Sequence, residues 1–357
     1  MNFSLSLLLK KSINLQQPFL VCHLRFSSNS QIIRPFIKCN AEVPNSKISV
    51  IGLGNVGCAL VATLLFMKLT NEIGFVDINA ERLKANLLGF KYMSMHLNYA
   101  KIEGSTTYDA IAGSKICIFS AGVRPNPGES RLTILEKNVV VMKDVVPKVV
   151  RYAPDSILIL VLNPVDIMTY ITTCISGFPP ERVLGSGTNL DTARLRFKMS
   201  EKYNVATDAC EGWVLGEHGL SSMIAWSTCK VGGVFITDLN PKMGLDDDKE
   251  KWAEVHQYVT QQGPGINKLK GYTNWGIALS VCDICNAILN NTKSVRAVTV
   301  PAKGFHGIED NVYLSLPAVI GQNGIIDIVE LPLTERECQN LHKSGKFLFE
   351  YQQKLKI

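Results

Sequence analysis

Three groups of residues stand at spacings that could do chemistry together. His218 lies in Trp213-Val-Leu-Gly-Glu-His218-Gly219, and an imidazole can take up or release a proton near neutral pH. Asn189-Leu-Asp191-Thr-Ala-Arg194 offers a carboxylate and a guanidinium three residues apart, on one face of a helix. Asp191 could orient the imidazole and stabilise its protonated form, while Arg194 could hold a substrate carboxylate through two parallel bonds. The third group is Gly52-Leu-Gly54-Asn55-Val56-Gly57. A lone GxGxxG is a weak signal. Here it follows an apolar run, opens a helical stretch, and precedes Asp77 at the end of the next strand-like run, which makes it specific for a dinucleotide. Gly52 suits the tight turn, Gly54 the approach of backbone to a pyrophosphate, and Gly57 close packing of helix on strand. Asp77 would accept from a ribose diol and repel a 2′-phosphate, so NAD is expected rather than NADP. A proton-passing histidine beside a hydride carrier is oxidoreductase chemistry. Taken singly, each residue has a plainer reading: a capping Asp, a surface Arg, a core His. Spacing alone does not decide among them.

The elements that must position these residues follow from the apolar pattern. Ile48–Leu53, Ile73–Asp77, Ile116–Ser120 and Ile157–Leu162 read as buried strands. Asn55–Leu69 and Leu132–Tyr152 read as helices. Alternating strands and helices predict an α/β fold, a Rossmann-type doubly wound parallel sheet. Asn163 follows the fourth run directly, at the carboxyl end of the sheet where ligands of such folds sit. Arg131 ends Asn126-Pro-Gly-Glu-Ser-Arg131, a loop that could close over a ligand. Beyond about Gly187 helices are expected at 190–203, 249–261 and 272–290, with short strands at 297–300 and 325–331. Thr334-Glu-Arg-Glu337 predicts a capped final helix. The expected organisation is an N-terminal extension over 1–45, a dinucleotide-binding domain over 46–187 and an α+β substrate domain over 188–357.

With 46% hydrophobic and 19% charged residues the chain is ordinary for a globular protein, and a net charge of +6 is too mild to indicate nucleic acid. No apolar run is long enough to predict a membrane span. Ten scattered cysteines suit free, mostly buried thiols. Cys282-Asp-Ile-Cys285 has no second pair and no histidine at ligand spacing, so two thiols beside a core helix are expected and no metal. No acidic residue precedes Glu42, while Lys10, Lys11, Arg25, Arg34 and Lys38 do. That bias, with abundant Ser and Leu, resembles a mitochondrial transit peptide with processing near Arg25-Phe-Ser27-Ser28. The alternative is an arm-like extension of a cytoplasmic protein.

From about Lys47 to Ile357 the chain resembles the lactate/malate dehydrogenase family, and within it the animal-type L-lactate enzymes. The resemblance rests on Gly128-Glu-Ser-Arg131-Leu, Asn163-Pro-Val-Asp, Gly185 to Arg194, Gly212 to Gly219, Lys270-Gly-Tyr-Thr273-Asn-Trp and Gly321-Gln-Asn-Gly-Ile. It implies NAD-dependent interconversion of pyruvate and L-lactate, with His218 as proton donor and acceptor and Asp191 as its partner. Arg194 would bind the substrate carboxylate, and Arg131 would polarise the carbonyl as its loop closes. Asn163 would contact cofactor and substrate, and Thr273 would line the substrate side chain. Gly52, Gly54, Asn55, Val56, Gly57, Asp77, Arg124 and Ile277 would contact the cofactor. A homotetramer or homodimer is implied, with residues from Ser28 to about Ser46 as an arm.

Four features depart from the family pattern. Pro125 stands where lactate enzymes have Gln and malate enzymes Arg, and a proline has no donor for a second carboxylate. Malate is therefore disfavoured, and a larger apolar 2-oxo acid is an alternative to pyruvate. Leu220 follows His218-Gly where the family has Asp, Gly89 interrupts a helix, and the extension is long. A reading from another class is a weakly active paralogue with a structural or cofactor-binding role. The complete set of His218, Asp191, Arg194, Arg131, Asn163 and Thr273 opposes it.

Overall fold

The computed structural model describes residues 45–97, 100–123 and 131–355, with Arg131 and Leu132 by backbone alone. The expectations for the transit segment and most of the arm lie outside the described residues, as do those for Arg124 and Pro125. Six strands run parallel: β1 (Ile48–Ile51), β2 (Glu72–Val76), β3 (Lys101–Ser105), β4 (Ile116–Phe119), β5 (Ile157–Leu160) and β6 (Val183–Gly185). All residues of β1, β4 and β5 are buried, as predominantly apolar runs must be when both sheet faces are covered, and the one polar residue among them, Ser49, meets Ser114 Oγ at 2.6 Å. Their spatial order is β6-β5-β4-β1-β2-β3. The chain reverses direction of winding between β4 and β1, which opens a crevice at the carboxyl ends of those strands.

The connecting helices are α1 (Asn55–Phe66), α2 (Ala80–Ser94), α3 (Arg131–Tyr152) and α4 (Val165–Ser176). They are followed by α5 (Asn189–Tyr203) and the short strands β7 (Cys210–Glu211), β8 (Val214–Leu215), β9 (Met223–Ile224), β10 (Lys230–Val231) and β11 (Val234–Phe235). The remainder comprises α6 (Ile236–Leu239), α7 (Trp252–Lys270), α8 (Trp275–Leu289), β12 (Ser294–Pro301), β13 (Tyr313–Gly321), β14 (Gly324–Ile328) and α9 (Glu335–Gln353). The late strands extend the first sheet: Thr299 of β12 pairs antiparallel with Gly185 of β6, and β13 and β14 follow in turn. A second, smaller core lies beneath α5 and α7, built on Leu195, Met199, Ile224, Trp252 and Val259.

Two elements differ from the sequence expectation. The longest strand, β13, carries Pro317 in its middle, a residue that argues against a central strand because it has no N–H to donate. Its carbonyl still accepts from Val329 N at 2.8 Å, so the ladder continues on that side. Helix α7 does not stop at Gln261 but runs through Gly263-Pro264-Gly265 to Lys270. Trp252 and Val259 bury its first half, whereas residues 264–271 are exposed, so the proline costs only the bond to the half-buried Thr260 carbonyl one turn back. The other borders agree to within a few residues. The last helix has the expected capping box, with Thr334 N donating to Glu337 Oε2 at 2.8 Å and Glu337 N to Thr334 Oγ1 at 3.3 Å. Cys282 and Cys285 are buried in α8, and burial pushes the Cys282 thiol up to about 12.

Candidate active site

The glycine loop turns between β1 and α1. Gly52 has φ +94°, and a Cβ there would fall 2.7 Å from the Ala121 backbone. A Cβ on Gly57 would lie 1.9 Å from Gly52 O, so only glycine lets α1 start this close to the strand. A Cβ on Gly54 would meet nothing within 4 Å. Its role is therefore not internal packing; it leaves space for something outside the chain. Asn55 and Val56 form the first turn of α1, which has no acidic residue and no side-chain cap, so its N–H groups face outward for an anion.

Asp77 ends β2 and is buried. Its Oδ2 accepts from Leu53 N at 2.7 Å and its Oδ1 from Asn79 N at 2.8 Å. It thus holds the glycine loop in shape, a duty absent from the sequence reading, and each oxygen keeps a second lone pair for a ribose hydroxyl. Ile78 beside it is 95% exposed, an apolar surface next to this pocket that the sequence reading did not single out. The residues present fit NAD: open space above Gly54, an uncapped helix start, and a carboxylate at the next strand end.

Asn163 stands at the end of β5, and its peptide bond to Pro164 is cis. Its carbonyl accepts from Asn138 Nδ2 at 3.0 Å, while Asn138 Oδ1 accepts from Val123 N at 2.8 Å. The buried Asn138 amide on α3 therefore ties the ends of two neighbouring strands together. A lone Asn at a buried position of an apolar helix was the available signal for it. Arg131 is the first residue of α3; its side chain lies outside the described ones.

His218 follows β8. Gly216 exchanges backbone bonds with Ser315 of β13, and Glu217 N donates to Ser344 Oγ of α9 at 2.8 Å. The ring Nδ1 donates to Asp191 Oδ2 at 2.6 Å, and Asp191 Oδ1 accepts from Arg194 Nη1 at 2.7 Å. The three residues form one chain of charge-assisted bonds. One guanidinium nitrogen of Arg194 is thereby engaged on Asp191, leaving its other donors for a ligand. The His218 side chain is 28% exposed against 7% for Asp191, so one edge of the ring is open while its partner is sealed.

Electrostatics follow from that geometry. Burial works against a charged imidazole, but the Asp191 charge and hydrogen bond outweigh it, Asp166 adds to them, and His218 is raised to about 9. Burial also opposes the Asp191 charge; His218 and Arg194 overcome it and hold the carboxyl below its ordinary value. Burial likewise lowers His256 on α7, whose Nε2 meets Ser222 Oγ at 3.2 Å.

Thr273 lies in the short link between α7 and α8, and Ile277 is in the first turn of α8. Helix α8 packs along α1 and against α5, where Asn189 Nδ2 donates to Ser280 Oγ at 3.0 Å. These contacts anchor the helix bearing Ile277 to both the glycine-loop helix and the Asp191 helix. Leu220 is 67% exposed, and Gly89 sits mid-helix in open space.

A dinucleotide crevice with a part-buried histidine–carboxylate pair is the arrangement of an NAD-dependent oxidoreductase. Known proteins agree. Residues 46–185 match the lactate/malate dehydrogenase NAD binding domain, and residues 188–356 match the lactate/malate dehydrogenase alpha/beta C-terminal domain. The L-lactate dehydrogenase B chains of Homo sapiens and Bos taurus are each 43% identical over 326 residues, covering 91% of this chain and 98% of theirs. That of Rattus norvegicus is 42% identical over the same span. The chain belongs to the lactate/malate dehydrogenase family.

Proposed function

We propose that the chain interconverts pyruvate and L-lactate. The observation that carries this reading is the bonded run His218–Asp191–Arg194, at 2.6 and 2.7 Å, with one open imidazole edge. With Nδ1 committed to Asp191, Nε2 of His218 is left to protonate a carbonyl oxygen or deprotonate a hydroxyl. Asp191 fixes the ring and stabilises its charged form. Arg194 turns its remaining donors to the substrate carboxylate, Asn163 contacts substrate and cofactor, and Thr273 lines the substrate side chain. Arg131 polarises the carbonyl. Bound in the crevice, NAD supplies or takes up the hydride. The glycine loop with Asn55, Val56 and Asp77, together with Arg124 and Ile277, holds it.

Steady-state NADH oxidation with pyruvate, oxaloacetate and longer 2-oxo acids tests the reading. Pyruvate turned over fastest is the expected result; faster oxaloacetate would overturn it. Pro125 supports a second reading, a larger apolar 2-oxo acid, which would show as a preference for the longer members of the panel. NADH binding without turnover on any member would instead favour a structural or cofactor-binding paralogue.

A homotetramer or homodimer goes with the same proposal, and a monomer in sedimentation would contradict it. The acid-free N-terminal segment supports import into mitochondria with removal near Ser27. Identical cytoplasmic distributions of the full chain and one lacking residues 1–27 would refute that part.

A further inference from the structure

Asp166 stands in the first turn of α4, three residues beyond Asn163, and is 1% exposed. Its Oδ2 accepts from the His218 backbone N–H at 2.8 Å, and its Oδ1 from Thr299 Oγ1 at 2.6 Å. One carboxylate therefore joins the strand end bearing Asn163, the loop bearing His218, and β12. Apolar neighbours on α4, Val165, Ile167 and Met168, are buried around it, and a buried charge is costly where packing alone is needed. The α4 N-terminus offsets part of that cost.

We infer that Asp166 is a positioning residue, locking the His218 loop to the α4 start and using its own charge to favour the protonated imidazole. This rests on the reading of His218 as the proton donor and acceptor. The charged and titratable groups around His218 are Asp191 and Arg194 on α5, Asp166 on α4, and Glu217 in its own loop, with His256 on α7 in turn within the influence of Asp191. Asp191 and Asp166 favour the charged ring; Arg194 opposes it. Burial pushes Asp166 up to about 6 against the Thr299 and His218 donors, which leaves it ionised at neutral pH.

Asp166→Asn keeps an acceptor for the His218 N–H and a partner for Thr299, and removes only the charge. It is expected to lower the midpoint of the His218 imidazole titration, followed by NMR on the full chain, by about one pH unit. The alkaline limit of 2-oxo acid reduction falls with it, while KM changes little. An unshifted midpoint in the folded variant overturns the electrostatic role. Asp166→Leu also frees the loop and is expected to lower kcat about a hundredfold; wild-type kcat in the folded Leu variant overturns the positioning role. Should either variant not fold, the wild-type His218 backbone amide resonance serves instead. An acid inflection separate from that of the imidazole supports the link, and a single inflection tracking the ring alone overturns it. The NMR titrations need no turnover. Absence of activity on every 2-oxo acid in the wild type would overturn the dehydrogenase reading and with it the catalytic purpose of the lock, whereas an unshifted imidazole midpoint in an otherwise active wild-type background overturns the lock alone.

Discussion

Around Gly52–Gly57 the site is made of backbone and of missing side chains; around His218 it is made of charges held by other charges. In the first region a single added carbon would strike Gly52 O at 1.9 Å or, two residues from the turn at Gly54, touch nothing. In the second, Asp166 and Asp191 are both buried; Asp166 is satisfied by donors from distant parts of the chain, and Asp191 by distant His218 and by Arg194 on its own helix. A backbone-built pocket is specified by local sequence, because a steric requirement for glycine shows in the sequence itself. A charge-built centre depends on tertiary contacts, and its energetics depend on groups that no spacing reveals. The two regions should therefore fail differently when altered.

His218→Ala should have the largest effect, lowering turnover on the order of 10²–10⁴-fold. NADH binding, measured by fluorescence, should stay near wild type, because the glycine loop makes no use of the ring. Loss of NADH binding in parallel would mean the two regions are not separable. Gly57→Ala comes next. Its Cβ has no room against Gly52 O, so α1 must shift, costing about 3 kcal/mol in chemical unfolding. Gly54→Ala should leave the melting temperature unchanged and weaken NADH binding; a destabilised fold there would contradict the open space above it.

Asp191→Asn probes the charge-built region through pH. His218 is raised to about 9 from an ordinary 6.5, so the protonated ring that the proposed reduction requires persists to about pH 9 and is lost above it. The variant should pull that alkaline limit down toward the ordinary value. The same sign governs stability in the wild type: the pair's contribution is complete below pH 6.5 and disappears as pH rises through about 9, which melts across that window would show. The smallest effect belongs to Gly89→Ala, expected to stabilise by about 1 kcal/mol because the helical position is open on all sides.

The parallel half of the fold was readable because β1, β4 and β5 are near-continuous apolar runs with a glycine motif between the first strand and its helix. Strand β13 was not, since Pro317 disguises a central strand as an edge. Helix α7 was cut short for a similar reason: Gly263-Pro264-Gly265 is a local stop signal that the protein overrides. In the site, the place of Asp77 just after β2 was legible from its distance to the glycines, but its hold on Leu53 N was not, because that bond depends on the loop's path. Helical spacing placed Asp191 and Arg194 on one face, as α5 has them, and their roles came only from the family resemblance. The bond between them, which engages part of the Arg194 fork, needed coordinates. Asp166 and Thr299 lie 133 residues apart, beyond any pattern of local sequence.

That separation also sets an order in time. During synthesis His218 and its partner Asp191 leave the ribosome while β12 is still unmade, since Thr299 lies 81 residues after His218. At translation rates of about 5–20 residues per second, the 133 residues from Asp166 to Thr299 take roughly 7–27 s to make. The closing of β12 onto β6 is what brings Thr299 to Asp166 and joins the late strands to the parallel sheet.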